Sequence, residues 1–131
     1  ASAQLGGNGL TPRAEDVRAE AVAVFGPLSL GGFAPGGVRD GHMPGSTHYD
    51  GRAVDIFFRP ISDASRTRGW AVASYLVAQA ERLSIQTIIF DAKIWTARRS
   101  DEGWRRYDSP DRPGDPDVLA HRDHVHVDVF S

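Results

Sequence analysis

The sequence of 131 residues contains no cysteine. It can therefore form no disulfide bond, no cysteine-ligated zinc site, no iron–sulfur cluster and no thiol nucleophile. It also lacks an apolar run that approaches the roughly 20 residues needed to cross a membrane. The net charge of −2 gives no reason to expect a nucleic-acid partner. Any chemistry must come from histidine, carboxylate, hydroxyl or arginine side chains.

The length and the 40% apolar content suit one folded domain. We expect residues 1–10, which are small and glycine-rich, to be a flexible N-terminal segment, and residues 11–131 to form a single monomeric domain. The first residues show neither the basic region nor the apolar region of a signal peptide. We therefore expect either a mature secreted protein or an excised domain.

Helix and strand patterns alternate along the chain. Thr11 and Pro12 predict a helix start and Gly26 its end. A second helix is predicted from Ser62 or Ser65 to Leu83. Strands are predicted at 53–58, 85–90, 94–97, 103–107 and 124–130, and long loops at 27–45 and 108–117. Helices flanking several antiparallel strands indicate an α+β domain.

The first cluster of chemically useful residues begins at Ser46 and ends at Asp55. Asp55 lies in the middle of an apolar strand, where a carboxylate must be paired, hydrogen-bonded or bound to a metal. His48 precedes it by seven residues, and Gly51 between them allows the chain to turn back. This arrangement can bring a histidine nitrogen and a carboxylate oxygen to one point.

The second cluster is the closing strand, in which His124, His126 and Asp128 alternate with three valines. Period-two geometry places the valines on the core face and the polar residues on the other face. Two histidines and one carboxylate with an open coordination position are the ligands of catalytic zinc, and the same set suits non-haem iron. The spacing alone leaves the metal open.

The first cluster, Ser46-x-His48-x-x-Gly51-x-Ala53-x-Asp55, resembles the signature of the zinc D-Ala-D-Ala carboxypeptidases and related murein peptidases. The closing His124-x-His126 is similar to the H-x-H of the same superfamily, and His121-x-x-His124-x-His126 is similar to the ending of penicillin-insensitive murein endopeptidases. The resemblance implies a hedgehog/DD-peptidase-like fold, in which helices flank a central antiparallel sheet. It covers about a sixth of the chain.

The resemblance also implies one zinc ion per chain, held by His48, Asp55 and His126, with water in the fourth position. His124 is then the favoured general base, with His121 as its partner or substitute. Asp123 occupies the sequence position at which other branches of the superfamily carry the glutamate of an E-x-x-H motif. Period two places Asp123 with the valines, so His121 and Asp123 each also suit a supporting role.

Arg39 precedes the first motif, where family members carry an arginine that holds the substrate or the developing oxyanion. Ser46 is interpreted as a hydrogen-bonding support at the substrate side. A serine nucleophile in a Ser46–His48–Asp55 triad would leave the second cluster unexplained. His42 remains an uncommitted loop histidine.

These residues predict a secreted, cell-wall-associated zinc metallopeptidase that cuts peptidoglycan stem peptides. The resemblance leaves the carboxypeptidase and endopeptidase types open. The alternative is a zinc-containing cell-wall binding module with little or no turnover. No membrane or nucleic-acid partner is expected.

Overall fold

A computed structural model describes residues 4–131 as helices packed on a six-stranded sheet. The helices are α1 Pro12–Phe25, α2 Asp63–Ala78, α3 Ala80–Leu83 and α4 Pro116–Leu119. The strands are β1 Ser29–Gly31, β2 Ala53–Phe57, β3 Ile85–Phe90, β4 Lys93–Thr96, β5 Arg105–Arg106 and β6 His124–Val129. Short 3₁₀ helices cover Thr47–Asp50 and Ala97–Glu102. None of the helices described between residues 4 and 131 is both long and apolar enough to span a membrane.

The strand order is β1-β2-β6-β3-β4-β5, and every neighbouring pair is antiparallel. The chain is therefore a mixed α/β domain with an antiparallel sheet, as the strand patterns predicted. β6 lies between β2 and β3, and all six of its residues are buried. Its three valines join the core, in which Ala14 and Val17 of α1 and Leu76 of α2 are also buried.

The first helix forms as its termini predict. The Thr11 side chain accepts a hydrogen bond from the Ala14 amide at 3.4 Å, and Pro12 occupies the first turn. Gly26 ends the helix with φ +80° and donates its amide to the Val22 carbonyl. Local chemistry is sufficient to set both boundaries.

Three elements differ from the sequence expectation. The predicted loop 27–45 contains β1, a strand of three residues that forms by pairing with the edge of β2. The predicted helix to Leu83 divides at Gln79, whose φ of −101° and ψ of 5° separate α2 from α3. The end of the acidic loop 108–117 begins α4, which Asp115 caps.

The N-terminal segment 1–10 was expected to be flexible, but the last residues of this segment pack against the domain. Leu10 is buried in the core, and its carbonyl accepts a hydrogen bond from the Gly6 amide at 2.8 Å. The Thr11 amide donates to the Gly51 carbonyl at 2.9 Å. Packing therefore begins before residue 11, while residues 1–3 of that expected segment lie outside the described part.

Candidate metal centre

Three elements bring the predicted ligands together. His48 lies in the 3₁₀ helix Thr47–Asp50, Asp55 lies in the middle of β2, and His126 lies opposite Asp55 in the β2–β6 ladder. Gly51, with φ +71°, ends the 3₁₀ helix and returns the chain into β2. All three ligand residues are buried.

The three donor atoms form a nearly equilateral triangle. The His48 Nε2 atom is 3.3 Å from Asp55 Oδ1 and 3.2 Å from His126 Nδ1, and the third edge, from His126 Nδ1 to Asp55 Oδ1, is 3.5 Å. A tetrahedral zinc ion with ligands at about 2.0–2.1 Å has donor separations of about 3.3–3.4 Å. The triangle therefore has the dimensions of one face of a zinc coordination tetrahedron.

The second nitrogen of each ligand histidine has an acceptor of its own. His48 Nδ1–H donates to the Gly32 carbonyl at 2.8 Å, and His126 Nε2–H donates to Asp128 Oδ2 at 2.8 Å. In the neutral rings these bonds select the tautomers in which His48 Nε2 and His126 Nδ1, the nitrogens that face the triangle, carry the lone pairs. Asp55 Oδ1 is buried and has no hydrogen-bond partner among the described residues. The chemistry of the donor set thus fits a divalent cation.

Asp128 is a functional residue to which sequence reasoning gave no role. Its Oδ2 accepts the His126 proton and also a hydrogen bond from Thr47 Oγ1 at 3.1 Å. A carboxylate behind a ligand histidine fixes the ring and raises its basicity. The signal was present in the sequence, since Asp128 shares the face of β6 with His126.

The electrostatics of the triangle keep Asp55 ionised. Burial favours its neutral form, but the adjacent imidazoles of His126 and His48 outweigh burial and hold the pKa of Asp55 far below its usual range. Burial opposes the charge on His126, yet its bonds to Asp128 and Asp55 raise the pKa of His126 to about 9. In the metal-free protein, a proton on His126 thus supplies positive charge that a bound cation would replace.

His124 lies beside the triangle and is paired with a carboxylate. Its Nδ1–H donates to Asp123 Oδ1 at 2.7 Å, which leaves its Nε2 as an acceptor. Asp123 Oδ2 in turn accepts from Arg59 Nε at 2.6 Å. The expectation that Asp123 lies on the valine face of the last strand was wrong. The strand β6 begins only at His124, so the alternation does not extend to Asp123.

His121 completes the group of histidines. Its ring lies 4.4 Å from that of His124 and 6.0 Å from that of His126, and its Nδ1–H donates to the Leu119 carbonyl at 3.2 Å. Burial, together with the neighbouring His124 and His126, lowers the pKa of His121 to about 3. His121 therefore remains neutral across the physiological range.

The triangle opens into a cleft of about 400 Å³. Two exposed apolar side chains contribute to its wall, Met43 from the loop before the first 3₁₀ helix and Val118 from α4. Tyr107, whose ring packs edge-on against His121, also lines it. The cleft therefore joins apolar surface to the polar group of histidines, as ligand sites usually do.

The remaining predicted residues divide between the cleft and the surface. Ser46 lines the cleft, and its Oγ accepts from the His48 amide at 3.1 Å. His42 stacks on His48 with ring centres 4.0 Å apart, and the Tyr49 hydroxyl holds its backbone. Arg39 is exposed and is not among the described residues that line the cleft.

The arginines that do line the cleft are Arg59 and Arg112. Sequence reasoning singled out neither of them. Arg59 follows β2 by two residues, and Arg112 lies in the acidic loop 108–117, so neither belongs to a motif. Only the folded chain brings them to the site.

A family model described as "VldE, C-terminal domain" matches residues 6–117. The matched range includes His48 and Asp55 and ends before His126, so it covers one side of the site. No curated protein and no solved structure matches the chain.

Proposed function

The chain belongs to the VldE C-terminal domain family, and we propose that this member is a zinc-dependent peptidase that hydrolyses peptidoglycan stem peptides. The observation that carries the proposal is the buried triangle of His48, Asp55 and His126, with the otherwise unpartnered Asp55 Oδ1. Two histidine ligands and one carboxylate leave a coordination position free for chemistry. Two further histidines, His121 and His124, line the same cleft.

Zinc is the favoured cation because of the donor set and its spacing. The donors are two imidazole nitrogens and one carboxylate oxygen, with edges of 3.2–3.5 Å. When bound, a zinc ion would polarise the scissile carbonyl and lower the pKa of a water molecule towards neutrality. Non-haem iron accepts the same ligands, so elemental analysis has to distinguish the two.

His124 is suited to move the proton in this reaction. Its unprotonated Nε2 can accept a proton from the attacking water and later return it to the leaving amine nitrogen. The Asp123 carboxylate at Nδ1 stabilises the imidazolium formed between those steps. His121 has only a backbone carbonyl at Nδ1, so it is better suited to orient the water through a neutral Nε2.

The finer features of the proposal follow the sequence resemblance. They are a hedgehog/DD-peptidase-like fold, a secreted, cell-wall-associated location and a D-Ala-D-Ala carboxypeptidase or murein endopeptidase activity. The antiparallel sheet flanked by helices is compatible with that fold. The two motifs also lie on adjacent strands, where a shared site requires them.

The test combines metal analysis with peptide cleavage. The purified protein is expected to contain one zinc ion per chain and to cleave muropeptides until a chelator removes the metal. His126→Ala is expected to abolish both metal binding and cleavage. Cleavage of no stem peptide by the zinc-loaded protein would exclude the peptidase, whereas zinc and peptide binding without product would favour the binding module.

A further inference from the structure

The guanidinium of Arg59 is held rigidly at the cleft. Its carbon lies 4.2 Å from the centre of the Phe57 ring, and its Nε donates to Asp123 Oδ2 at 2.6 Å. The side chain nevertheless keeps 53% of its surface exposed. Stacking and the single tether fix the plane of the guanidinium while one side of it remains accessible.

Only the Nε atom of Arg59 has a hydrogen-bond partner among the described residues. Its two Nη atoms therefore present a free edge with the fork geometry that matches a carboxylate. Because the plane is already ordered, an anion that binds there loses little additional side-chain entropy. These are the properties of a preorganised anion subsite.

The other charges in the cleft favour the same kind of ligand. The two carboxylates that line the cleft already have partners. Asp55 belongs to the triangle, and Asp128 accepts a hydrogen bond from His126. The charged side chains that line the cleft and stay available to a substrate are the guanidiniums of Arg59 and Arg112. The adjoining surface of Met43 and Val118 is apolar, so a carboxylate next to a small apolar group is the complementary ligand.

The subsite is also connected to the proton-transferring histidine. Asp123 binds Arg59 through Oδ2 and His124 through Oδ1, at 2.6 Å and 2.7 Å. The Phe57 ring on which Arg59 stacks lies 5.9 Å from the His124 ring. Asp123 and Phe57 therefore join the anion subsite to His124.

We propose that the Nη edge of Arg59 binds the free C-terminal carboxylate of the substrate, so that the cleft acts as a carboxypeptidase site rather than an endopeptidase site. This inference rests on the proposed peptidase function. It names the class of substrate, a peptide whose scissile bond lies one residue from its C-terminal carboxylate. It also gives the anion-binding role expected of Arg39 to a different residue.

The first experiment compares cleavage of an acetylated peptide ending in D-Ala-D-Ala with cleavage of its C-terminal amide. The zinc-loaded wild type is expected to prefer the carboxylate by roughly 10- to 100-fold in kcat/KM, the range of a charged hydrogen bond. Arg59→Gln is expected to bring the ratio of kcat/KM between the two peptides close to one. Arg59→Lys keeps the charge but not the two parallel Nη donors, and is expected to give an intermediate ratio. The exposed Arg98→Gln is the matched control and keeps the wild-type ratio.

The second experiment measures binding of the same two peptides by calorimetry, so that the result does not depend on turnover. Tighter binding of the carboxylate peptide by the wild type, lost in Arg59→Gln at unchanged zinc affinity, supports the inference even if neither peptide is cleaved. Failure of cleavage alone would count against the proposed function instead. The inference is overturned if Arg59→Gln weakens both peptides equally, or if Arg112→Gln rather than Arg59→Gln removes the preference.

Discussion

At the scale of single residues, the second ring nitrogen of each histidine determines what the first can do. His48 donates to a backbone carbonyl and His126 donates to Asp128, so the other nitrogen of each ring faces the triangle. His124 donates to Asp123, and His121 donates to a backbone carbonyl. In the proposed peptidase, four chemically identical side chains would thus acquire ligand, proton-transfer and orienting roles from their hydrogen-bond acceptors.

Removing the charge of Asp128 should weaken metal binding without removing a ligand. Asp128→Asn takes away the carboxylate that orients His126, and loss of such a partner lowers metal affinity by about 10- to 100-fold. Competition with a chromophoric zinc chelator measures the change. Asp16→Asn, the same substitution at an exposed site on α1, is the control. An unchanged affinity in Asp128→Asn would remove Asp128 from the site.

The two helper histidines should differ in their effect on rate. His124→Ala should keep one zinc per chain and lower kcat by on the order of 10²-fold or more, because it removes the carboxylate-supported proton acceptor. His121→Ala should lower kcat less, since a histidine with a pKa lowered to about 3 and only a backbone partner is a weak proton acceptor. Steady-state kinetics on metal-verified samples tests the order, and a larger loss in His121→Ala would reverse the two roles.

At the scale of elements, the short edge strand β1 supports the site more than its length suggests. Gly32 directly follows it with φ +80°, and its carbonyl accepts the His48 proton. A Cβ atom added there would lie 2.5 Å from His48 Cε1 and 2.9 Å from Asp55 Oδ2. The geometry of the triangle therefore requires glycine at position 32.

Gly32→Ala should lower metal affinity by at least about tenfold, because the new methyl group displaces two ligand side chains. Gly26→Ala is a matched control, since Gly26 has the same φ of +80° with no atom within 4 Å of an added Cβ. Both variants place a side chain at a positive φ, which costs on the order of 1–3 kcal/mol in unfolding free energy. Chemical denaturation together with zinc titration separates the shared effect from the specific one, and equal zinc affinities would contradict the assignment.

At the scale of the whole molecule, the metal triangle links stability to pH. A carboxyl whose pKa is lowered, as in Asp55, stabilises the fold above its unfolded value of 3.8, and the contribution is lost as the pH falls. A histidine whose pKa is raised stabilises the fold below its unfolded value of 6.5, and for His126 this contribution is lost as the pH rises through about 9. The metal-free protein should therefore become less stable from about pH 6.5 to about pH 9.

Zinc should reverse this loss, because it replaces the His126 proton as the positive charge in the triangle. The rise in Tm on adding one equivalent of zinc is expected to grow across the same pH range. Thermal unfolding with zinc and with chelator, followed at several pH values, measures both trends. A Tm of the chelated protein that increases between those pH values would contradict the prediction.

Which features could be predicted from the sequence depended on how far apart along the chain the interacting residues are. Helix α1 was predictable to both ends because Thr11, Pro12 and Gly26 act on their own neighbours. Strand β1 was not, since three residues carry too little pattern and form only against β2. In the site, His48, Asp55 and His126 stood in recognisable motifs, and the structure brings their donor atoms together. Arg59 stood in no motif and is recognised only from its stacking on Phe57 and its bond to Asp123.

The sequence by itself determined which chemistry was available. The absence of cysteine restricted metal binding to histidine and carboxylate, and the alternation in the last strand placed His124, His126 and Asp128 on one face. Tertiary structure alone decided how those groups are used. Antiparallel pairing of β2 with β6 placed Asp55 opposite His126, and contacts between distant segments chose the partner of every remaining nitrogen. Local patterns fix which face a residue occupies, while distances of a few ångströms between far-apart residues arise only from the packed fold.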